Sequence, residues 1–290
     1  GVTSARDPQF KKIHDRFVEI ANSADFSYEG PLAKSTDSLS AEQWLQNEFG
    51  DVHPHIKEYL QLYGWSSFCG SLNELSAFQY LGFITSETGN LMAFPGGNSY
   101  IAHKMVENIR HYNGQQVLRS NSIVLDVQNV AGGVRVLYED PMQTLRVIYA
   151  KHAIMACPKY VAQNIMPEMS REQKRAIQFL PYRAYLVGNL ITKKAFRAPS
   201  FELYCLQGEM PPAPTPLHTG DHGFSDICFG TWAQQDLPEN SVLTLYQGIP
   251  YDARQFLSSP ASHDKYRHRY LQSVMPVLNA LGLDQGDILG

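Results

Sequence analysis

The sequence predicts an α+β protein in which a mixed β-sheet is flanked by helices and a β-meander forms a second lobe. Three observations lead to this class. Apolar residues recur at helical spacing up to about residue 109, β-branched runs of strand length follow, and helical spacing returns near residue 263. Helices grouped apart from consecutive strands are typical of α+β folds.

The first third of the chain is predicted to be helical. Its expected helices are one with Phe10, Ile13, Phe17 and Ile20 on one face, one entered at Ser38–Glu42, one marked by Ile56 to Tyr63 and closed by Gly64, and one over 72–84. A further helix follows residue 98, because Ile101, Met105 and Ile109 recur every four residues.

The middle and the end of the chain alternate between strands and helices. An antiparallel meander is expected from runs at 117–118, 123–127, 134–138 and 145–150. A strand at 152–156 and helices at 160–165 and 171–179 are expected next. Four further strands are expected at 184–192, 201–206, 225–231 and 242–247, and a final helix at about 263–281. The Pro-rich segment 211–216 is predicted to be a linker or a lid. The meander is expected to form a sheet of its own.

Composition excludes several classes of function. The net charge of the 290 residues is −4, and Lys and Arg form no run longer than a pair, so neither nucleic acid nor a membrane surface is an expected partner. No apolar stretch is long enough to cross a bilayer. The four cysteines form no CxxC pair, so a reducing, cytoplasmic location is expected unless an export signal was removed. No metal site is predicted, because His218 and His222 have no identifiable distant partner.

Two adjacent glycines stand out in the stretch FPGGNSYIAHKMVENI. Gly96 and Gly97 precede a helix that needs only one polar cap, and Asn98 or Ser99 supplies it. A tight turn explains them, and so does close approach of an anion such as a phosphate to a helix N-terminus. The sequence contains no GxGxxG, GxxxxGK[ST], GxSxG or HExxH motif.

An ordered series of short motifs resembles the flavin-containing amine oxidase family. The Gly-Gly helix is followed by the strand around Val124, a meander, and the run Lys151-His-Ala-Ile-Met-Ala-Cys-Pro158, which is similar to the family's "vI.A.P" segment. The resemblance covers about residues 38 to 285. It implies that Gly96, Gly97, Val124 and Pro158 lie against FAD, with Val124 beside the adenine through backbone contacts.

The resemblance also implies a domain division. Residues 1–87 and 166–290 would form a discontinuous substrate domain, and 88–165 would be the inner part of an FAD-binding domain. The chain contains neither the family's N-terminal GxGxxG nor its C-terminal flavin segment. FAD is therefore expected in the complete protein and not in this chain alone, because the pyrophosphate loses its usual helix N-terminus.

The implied activity is oxidation of an amine or related small molecule by hydride transfer to flavin. Tyr185, Val187, Tyr204 and Trp232 are the predicted wall of the substrate pocket, with core packing as the alternative role of each. The resemblance implies that Val187 stands at the strand position where the family usually carries a lysine, or that Tyr185 or Asn189 stands there if the alignment shifts by two residues; none of the three is a lysine. The alternative function is a non-catalytic or truncated module that binds a ligand or a partner. Catalytic residues and the oligomeric state are not predicted.

Overall fold

A computed structural model of the chain describes residues 8–23, 25–89, 92, 97–113, 117–180, 182–195, 200–206, 224–231, 236–249 and 259–289, with Asn113 and Tyr266 described by their backbone only. The chain divides into two units, which we call unit 1 (Gly1–Pro95 with Arg183–Gly290) and unit 2 (Gly96–Tyr182). These divisions, at 95/96 and 182/183, differ from the predicted boundaries at 87/88 and 165/166. The assignment of the units to substrate and flavin domains stays a prediction.

The helices are α1 (Pro8–Ala21), α2 (Pro31–Asp37), α3 (Ala41–Phe49), α4 (Pro54–Phe68), α5 (Ala77–Ser86), α6 (Ser99–Asn113), α7 (Lys159–Ile165), α8 (Arg171–Phe179) and α9 (Pro260–Ala280). The strands are β1 (Ile123–Val130), β2 (Gly133–Glu139), β3 (Leu145–Ala150), β4 (Tyr185–Ile191), β5 (Glu202–Tyr204), β6 (Asp226–Phe229) and β7 (Val242–Gly248). These elements confirm the α+β class. None of the helices in the described ranges combines the length and the apolar character that a bilayer crossing requires.

The helical part of unit 1 has an apolar core between α1, α3, α4 and α5. The predicted face of α1 is confirmed, since Ile13, Phe17 and Ile20 are buried in this core. Ser40 caps α3 as predicted, and its hydroxyl accepts from Gln43 N while the Gln43 side chain accepts from Ser40 N. This reciprocal pair satisfies two donors that a helix start otherwise leaves open.

Two predicted helix boundaries in unit 1 were wrong. Gly64 does not close α4, which continues to Phe68 and ends at Cys69 in a left-handed conformation. A Cβ at Gly64 would lie 3.0 Å from Gly70 O, so this glycine serves close packing and not a turn. The helix expected from residue 72 begins at Ala77, because Ser76 caps it through Gln79 N.

The second half of unit 1 is a four-stranded sheet in the order β4-β7-β6-β5. All pairs between its described strands are antiparallel, which corrects the expected mixed sheet. One face packs on α9 around a core that includes Leu190, Ile227, Leu243, Leu245, Tyr270, Val274 and Leu278. The opposite face, which we call the open face, is not filled by α9.

Unit 2 contains the predicted meander as a separate sheet in the order β1-β2-β3, with both pairs antiparallel. The turn between β1 and β2 places Gly132 at φ 84°, a conformation that favours glycine. The expected strand at 152–156 was wrong. Its backbone pairs with no described strand, and Ile154 is 93% exposed, so an apolar run without a partner does not form sheet. Residues 117–118 are likewise not in a strand.

Candidate functional site

The open face of the four-stranded sheet collects side chains from all four strands in two cross-strand rows. The register places Val187 opposite Tyr246, Tyr246 opposite Asp226, and Asp226 opposite Tyr204. The adjacent row consists of Asn189, Thr244, Cys228 and Glu202. Since directly opposite residues in a pleated sheet point to the same side, both rows line one surface.

The solvent exposure of the side chains on the open face decreases from β4 toward β5. On the β4 side, Val187 is 52% exposed and Tyr185 is 39% exposed. On the β5 side, Tyr204 is half-buried beneath the aromatic residues of α4. Its ring contacts Tyr59 edge-on at 5.0 Å between centroids and lies 6.1 Å from the Tyr63 ring. The result is an apolar, aromatic surface at one end of the face and a tyrosine-walled recess at the other.

Helix α4 reaches the sheet because of a glycine. A Cβ at Gly248, the last residue of β7, would overlap the Trp65 carbonyl oxygen and the backbone of Cys69. Glycine therefore lets the C-terminal turn of α4 lie directly on the sheet backbone. Arg183 secures the same junction, because its guanidinium donates to Cys69 O at 2.6 Å and forms a two-pronged ion pair with Glu74.

Three acidic side chains, Glu87, Glu202 and Asp226, form what we call the carboxyl cluster. A carboxylate oxygen of Glu202, one of Asp226 and the Cys228 sulfur all lie within 4.8 Å of one another. The Tyr63 hydroxyl donates to Glu87 Oε2 at 2.8 Å. The negative charge of Glu87 helps to raise the pKa of Glu202. No ion pair joins the cluster to any Lys, Arg or His that the structure describes.

Burial changes the acid–base behaviour of the cluster. Desolvation, the hydrogen bond with Asp226 and the charge of Asp226 together raise the pKa of Glu202 to about 8. Desolvation also raises the pKa of Asp226, although hydrogen bonds from Glu202, Ser225 and Ser66 oppose the rise. The pKa of the Cys228 thiol is raised by burial and by the neighbouring carboxylates, so the thiol stays protonated. It contacts Glu202 Oε1 at 3.6 Å.

The structure brings three of the four predicted pocket residues onto the open face. Val187 and Tyr204 stand in the same cross-strand row, and Tyr185 lies two residues before Val187 with its ring 5.5 Å from that of Tyr246. None of the three belongs to the core between the sheet and α9. Trp232 lies outside the described residues. The role of all four in substrate binding stays a prediction.

The predicted flavin contacts belong to unit 2. Val124 is 40% exposed on β1, which lies at the edge of the meander, and the pairing register with β2 shifts just after Val124. The outer backbone groups of β1 pair with no other described strand, so they fit the expected backbone contacts with an adenine. Gly97 has φ 75°, and a Cβ there would meet nothing within 4 Å. Pro158 caps α7, and Gly96 lies outside the described residues.

Sequence reasoning missed the carboxyl cluster. The signal was an acidic residue inside a short apolar strand, once in the run Phe201-Glu-Leu-Tyr-Cys205 and once in Ser225-Asp-Ile-Cys-Phe229. Acidic residues are rarely buried without a partner, so each is a candidate for function. Their proximity depends on the pairing of β5 with β6, which neither run predicts.

Comparisons with known proteins identify the family and the fold of the chain. The sequence model of the flavin containing amine oxidoreductase family matches residues 10–287. Among solved structures, wild-type putrescine oxidase bound to putrescine has a TM-score of 0.61 at 14% identity over 94% of this chain. Cyclohexylamine oxidase from Brevibacterium oxydans has a TM-score of 0.57 at 16% identity over 93% of it. A protein described as a putative protoporphyrinogen oxidase, from Exiguobacterium, has a TM-score of 0.54 at 12% identity over 97% of it.

The chain spans 58% of the length of each of these three structures. None of the curated protein sequences compared with the chain matches it. At such low identity the structural likeness shows the fold, and the family match extends over nearly the whole sequence. The chain therefore belongs to the flavin containing amine oxidoreductase family.

Proposed function

We propose that unit 1 is the substrate-binding part of an FAD-dependent oxidoreductase that acts on a small amine, and that unit 2 contributes to the flavin site. One observation carries the amine assignment. The carboxyl cluster lies at the tyrosine-walled end of the open face and has no ion-pair partner among the described residues. Buried carboxyl groups without a cation attract one, and a protonated amine is the cation that members of this family encounter.

The walls of the recess suit an ammonium group. Tyr59, Tyr63 and Tyr204 form an aromatic group that interacts with the carboxyl cluster, and aromatic rings attract cations. Desolvation raises the pKa of each of these three phenols, so all three hydroxyls remain neutral at physiological pH. The exposed Val187 and Tyr185 continue the surface toward β4 and offer apolar contact for a carbon chain.

The chemistry limits which nitrogen the cluster holds. Hydride loss from the carbon beside an amine requires the nitrogen lone pair, which an ammonium ion held between carboxylates lacks. The cluster therefore holds a second nitrogen, away from the reacting carbon. A diamine meets this requirement, and putrescine, which is bound in one structural neighbour, is such a compound.

In the complete protein, FAD would supply the hydride acceptor. Val124, through its edge-strand backbone, and Gly97 and Pro158 are the residues of this chain proposed to contact it. The 290-residue chain contains no GxGxxG turn, and we expect it to purify without flavin. A visible flavin absorbance band in protein purified without added FAD would contradict this expectation.

Calorimetric titration of the 290-residue chain with putrescine tests amine binding. We expect saturable binding that Glu202→Gln weakens at least tenfold, corresponding to about 1.4 kcal/mol, because the variant cannot form the carboxylate that would pair with the bound ammonium group. Glu239→Gln is the matched control, since Glu239 is exposed in the same unit and its side chain makes no described contact with the open face. Equal affinity of the wild type and Glu202→Gln for putrescine would show that the carboxyl cluster is not part of the amine-binding site.

A second experiment distinguishes the proposed enzyme from the alternative function, a non-catalytic binding module. In the flavin-loaded full-length protein, putrescine added without oxygen is expected to bleach the flavin absorbance. Binding without bleaching would favour the module.

The same protein tests the missing lysine. Strand β4 has valine where the family usually carries a lysine, and no lysine occurs between Lys174 and Lys193. A valine cannot hold a water by hydrogen bonding, so we expect slow reoxidation by oxygen. Val187→Lys, followed by stopped-flow absorbance, is expected to accelerate it. Rapid reoxidation of the wild type, unchanged by the substitution, would show that this position does not govern the reaction.

A further inference from the structure

Asp226 is the member of the carboxyl cluster that amine binding alone does not explain. A half-buried Glu202 would suffice to attract an ammonium group, whereas Asp226 is fully buried. Its Oδ1 accepts from the Ser225 hydroxyl, and its Oδ2 has no hydrogen-bond partner among the described residues. A buried carboxylate oxygen without a donor is costly, so the site requires a proton or a cation there.

We infer that Glu202 and Asp226 hold one proton between them in the unliganded protein, and that a bound ammonium group replaces this proton. Asp226 then keeps Glu202 protonated until the ammonium group arrives, and afterwards binds that group together with Glu202. This inference rests on the proposed function, because it concerns the same site.

The geometry of the strands supports the shared proton. Glu202 is paired with Cys228 and Tyr204 with Asp226, so the two acids lie on adjacent strands, one position apart along the same face. Their oxygens lie within 4.8 Å of one another, in surroundings that exclude most water. Two carboxylates this close in a low dielectric cannot both ionise at neutral pH.

The surroundings provide no competing positive charge. The titratable groups facing the pair are Tyr59 and Tyr63 from α4, Glu87 after α5, Tyr185 from β4, Tyr204 and Cys205 at β5, Cys228 from β6 and Tyr246 from β7. Each of these groups is neutral when protonated and negative when deprotonated, so none of them can carry a positive charge. No described neighbour therefore offsets the negative charge of the two acids, and the shared proton does so instead.

The proton resides on Glu202. Asp226 Oδ1 already accepts from Ser225, and Oδ2, which has no hydrogen-bond partner among the described residues, is the acceptor left for this proton, so Glu202 is the donor. On binding, the ammonium group donates N–H bonds to both carboxylates, and the O–H bond of Glu202 breaks. The proton passes to water, so each ammonium group bound releases one proton and no electrons move.

Calorimetry in two buffers of different ionisation enthalpy counts this proton. With putrescine as the probe, the wild-type chain is expected to release about one proton at pH ~6.5 and close to none at pH ~9.5. Affinity should rise up to about tenfold per pH unit below pH ~8 and then level off. Binding without proton release at the lower pH overturns this inference and leaves amine binding in place. Absence of binding at both pH values overturns both.

Infrared spectroscopy tests the pair without a ligand. The band of a buried protonated carboxyl group is expected in the wild type at neutral pH, to fade as the pH passes about 8 and to be absent from Glu202→Gln. In Asp226→Asn the band should fade at a lower pH than in the wild type, because the charge of Asp226 is removed and the amide can donate to Glu202, whereas the desolvation of Glu202 remains. Glu239→Gln, the exposed control, should leave it unchanged. A band that fades at the same pH in Asp226→Asn as in the wild type would overturn the role given to Asp226, and the wild-type measurement stands even if that variant does not fold.

Discussion

Units 1 and 2 carry similar apolar sequences and bury them very differently. Unit 1 contains two large apolar cores, one among its helices and one between its sheet and α9. In unit 2, the buried apolar residues among those described are Val127, Tyr138 and Ala162. Its predicted helix stripe and its meander runs at 123–127, 134–138 and 145–150 formed the expected elements, yet Met105 is 61% exposed and Leu145 is 59% exposed. Secondary structure therefore does not guarantee burial, since burial needs a second layer.

The exposed residues of unit 2 are relevant to the proposed function. β1 and β3 expose Ile123, Val124, Leu125, Leu145, Val147 and Tyr149, and α6 exposes Tyr100, Ile101 and Met105. Apolar surfaces of this kind usually mark an interaction site. Val124, which is proposed above to contact flavin, is one of these exposed residues.

A matched pair of leucines gives the largest expected difference between the units. Leu245→Ala in β7 should lower the free energy of unfolding by about 2–5 kcal/mol, because Leu245 is completely buried. Leu145→Ala in β3 should change it by no more than about 0.5 kcal/mol. Urea unfolding with hydrogen exchange read separately on each unit measures both. Equal effects would mean that the meander surface is covered in solution.

The pH dependence of stability distinguishes the carboxyl cluster from ordinary surface acids. Because the pKa of Glu202 is raised to about 8, its stabilising effect is complete below its usual pKa and is lost as the pH rises toward 8. Glu202→Gln should match the wild type at pH ~4 and be more stable by about 2 kcal/mol at pH ~9. Urea midpoints at both pH values decide this. A variant less stable than the wild type at high pH would contradict it.

Ion pairs provide a smaller contrast. Arg183 donates to both carboxylate oxygens of Glu74, at 3.1 and 2.6 Å, whereas Arg135 in unit 2 donates to one oxygen of Asp126 at 3.0 Å. We expect Glu74→Gln to cost about 0.5–1 kcal/mol and Asp126→Asn about half as much. The pKa of Glu74 is lowered to about 2, chiefly by Arg183, so the cost of Glu74→Gln should vanish as the pH falls toward 2. A cost that does not change with pH would exclude the ion pair as its source.

The smallest expected effect is local to the β2–β3 turn. Asp140 accepts from Met142 N and Thr144 N and pairs with Arg146, and these bonds lower its pKa. Its contribution is present above its usual pKa and is lost as the pH falls. Asp140→Asn should therefore accelerate amide exchange in this turn several-fold at neutral pH, and Glu139→Gln is the neighbouring control. Equal amide exchange rates in both variants would show that backbone hydrogen bonds alone stabilise this turn.

Local sequence patterns predicted most elements and their order. Helix faces such as that of α1 and the Ser40 cap depend on residues a few positions apart, and local patterns report such interactions well. The errors occurred where a distant partner decided. Gly64 resembled a helix end until Gly70 was seen packed against it, and the run 152–156 had no strand to pair with.

The candidate site shows the same division more sharply. Alternation along β4 placed Tyr185 and Val187 on one face, because side-chain direction in a strand has a period of two. Only the tertiary structure brought Tyr204 into the row of Val187 and assembled Glu87, Glu202 and Asp226 from three separate segments. Strand order and register come from long-range packing, and burial follows from both. The chemistry of these acids was therefore decided by residues that are distant in the chain.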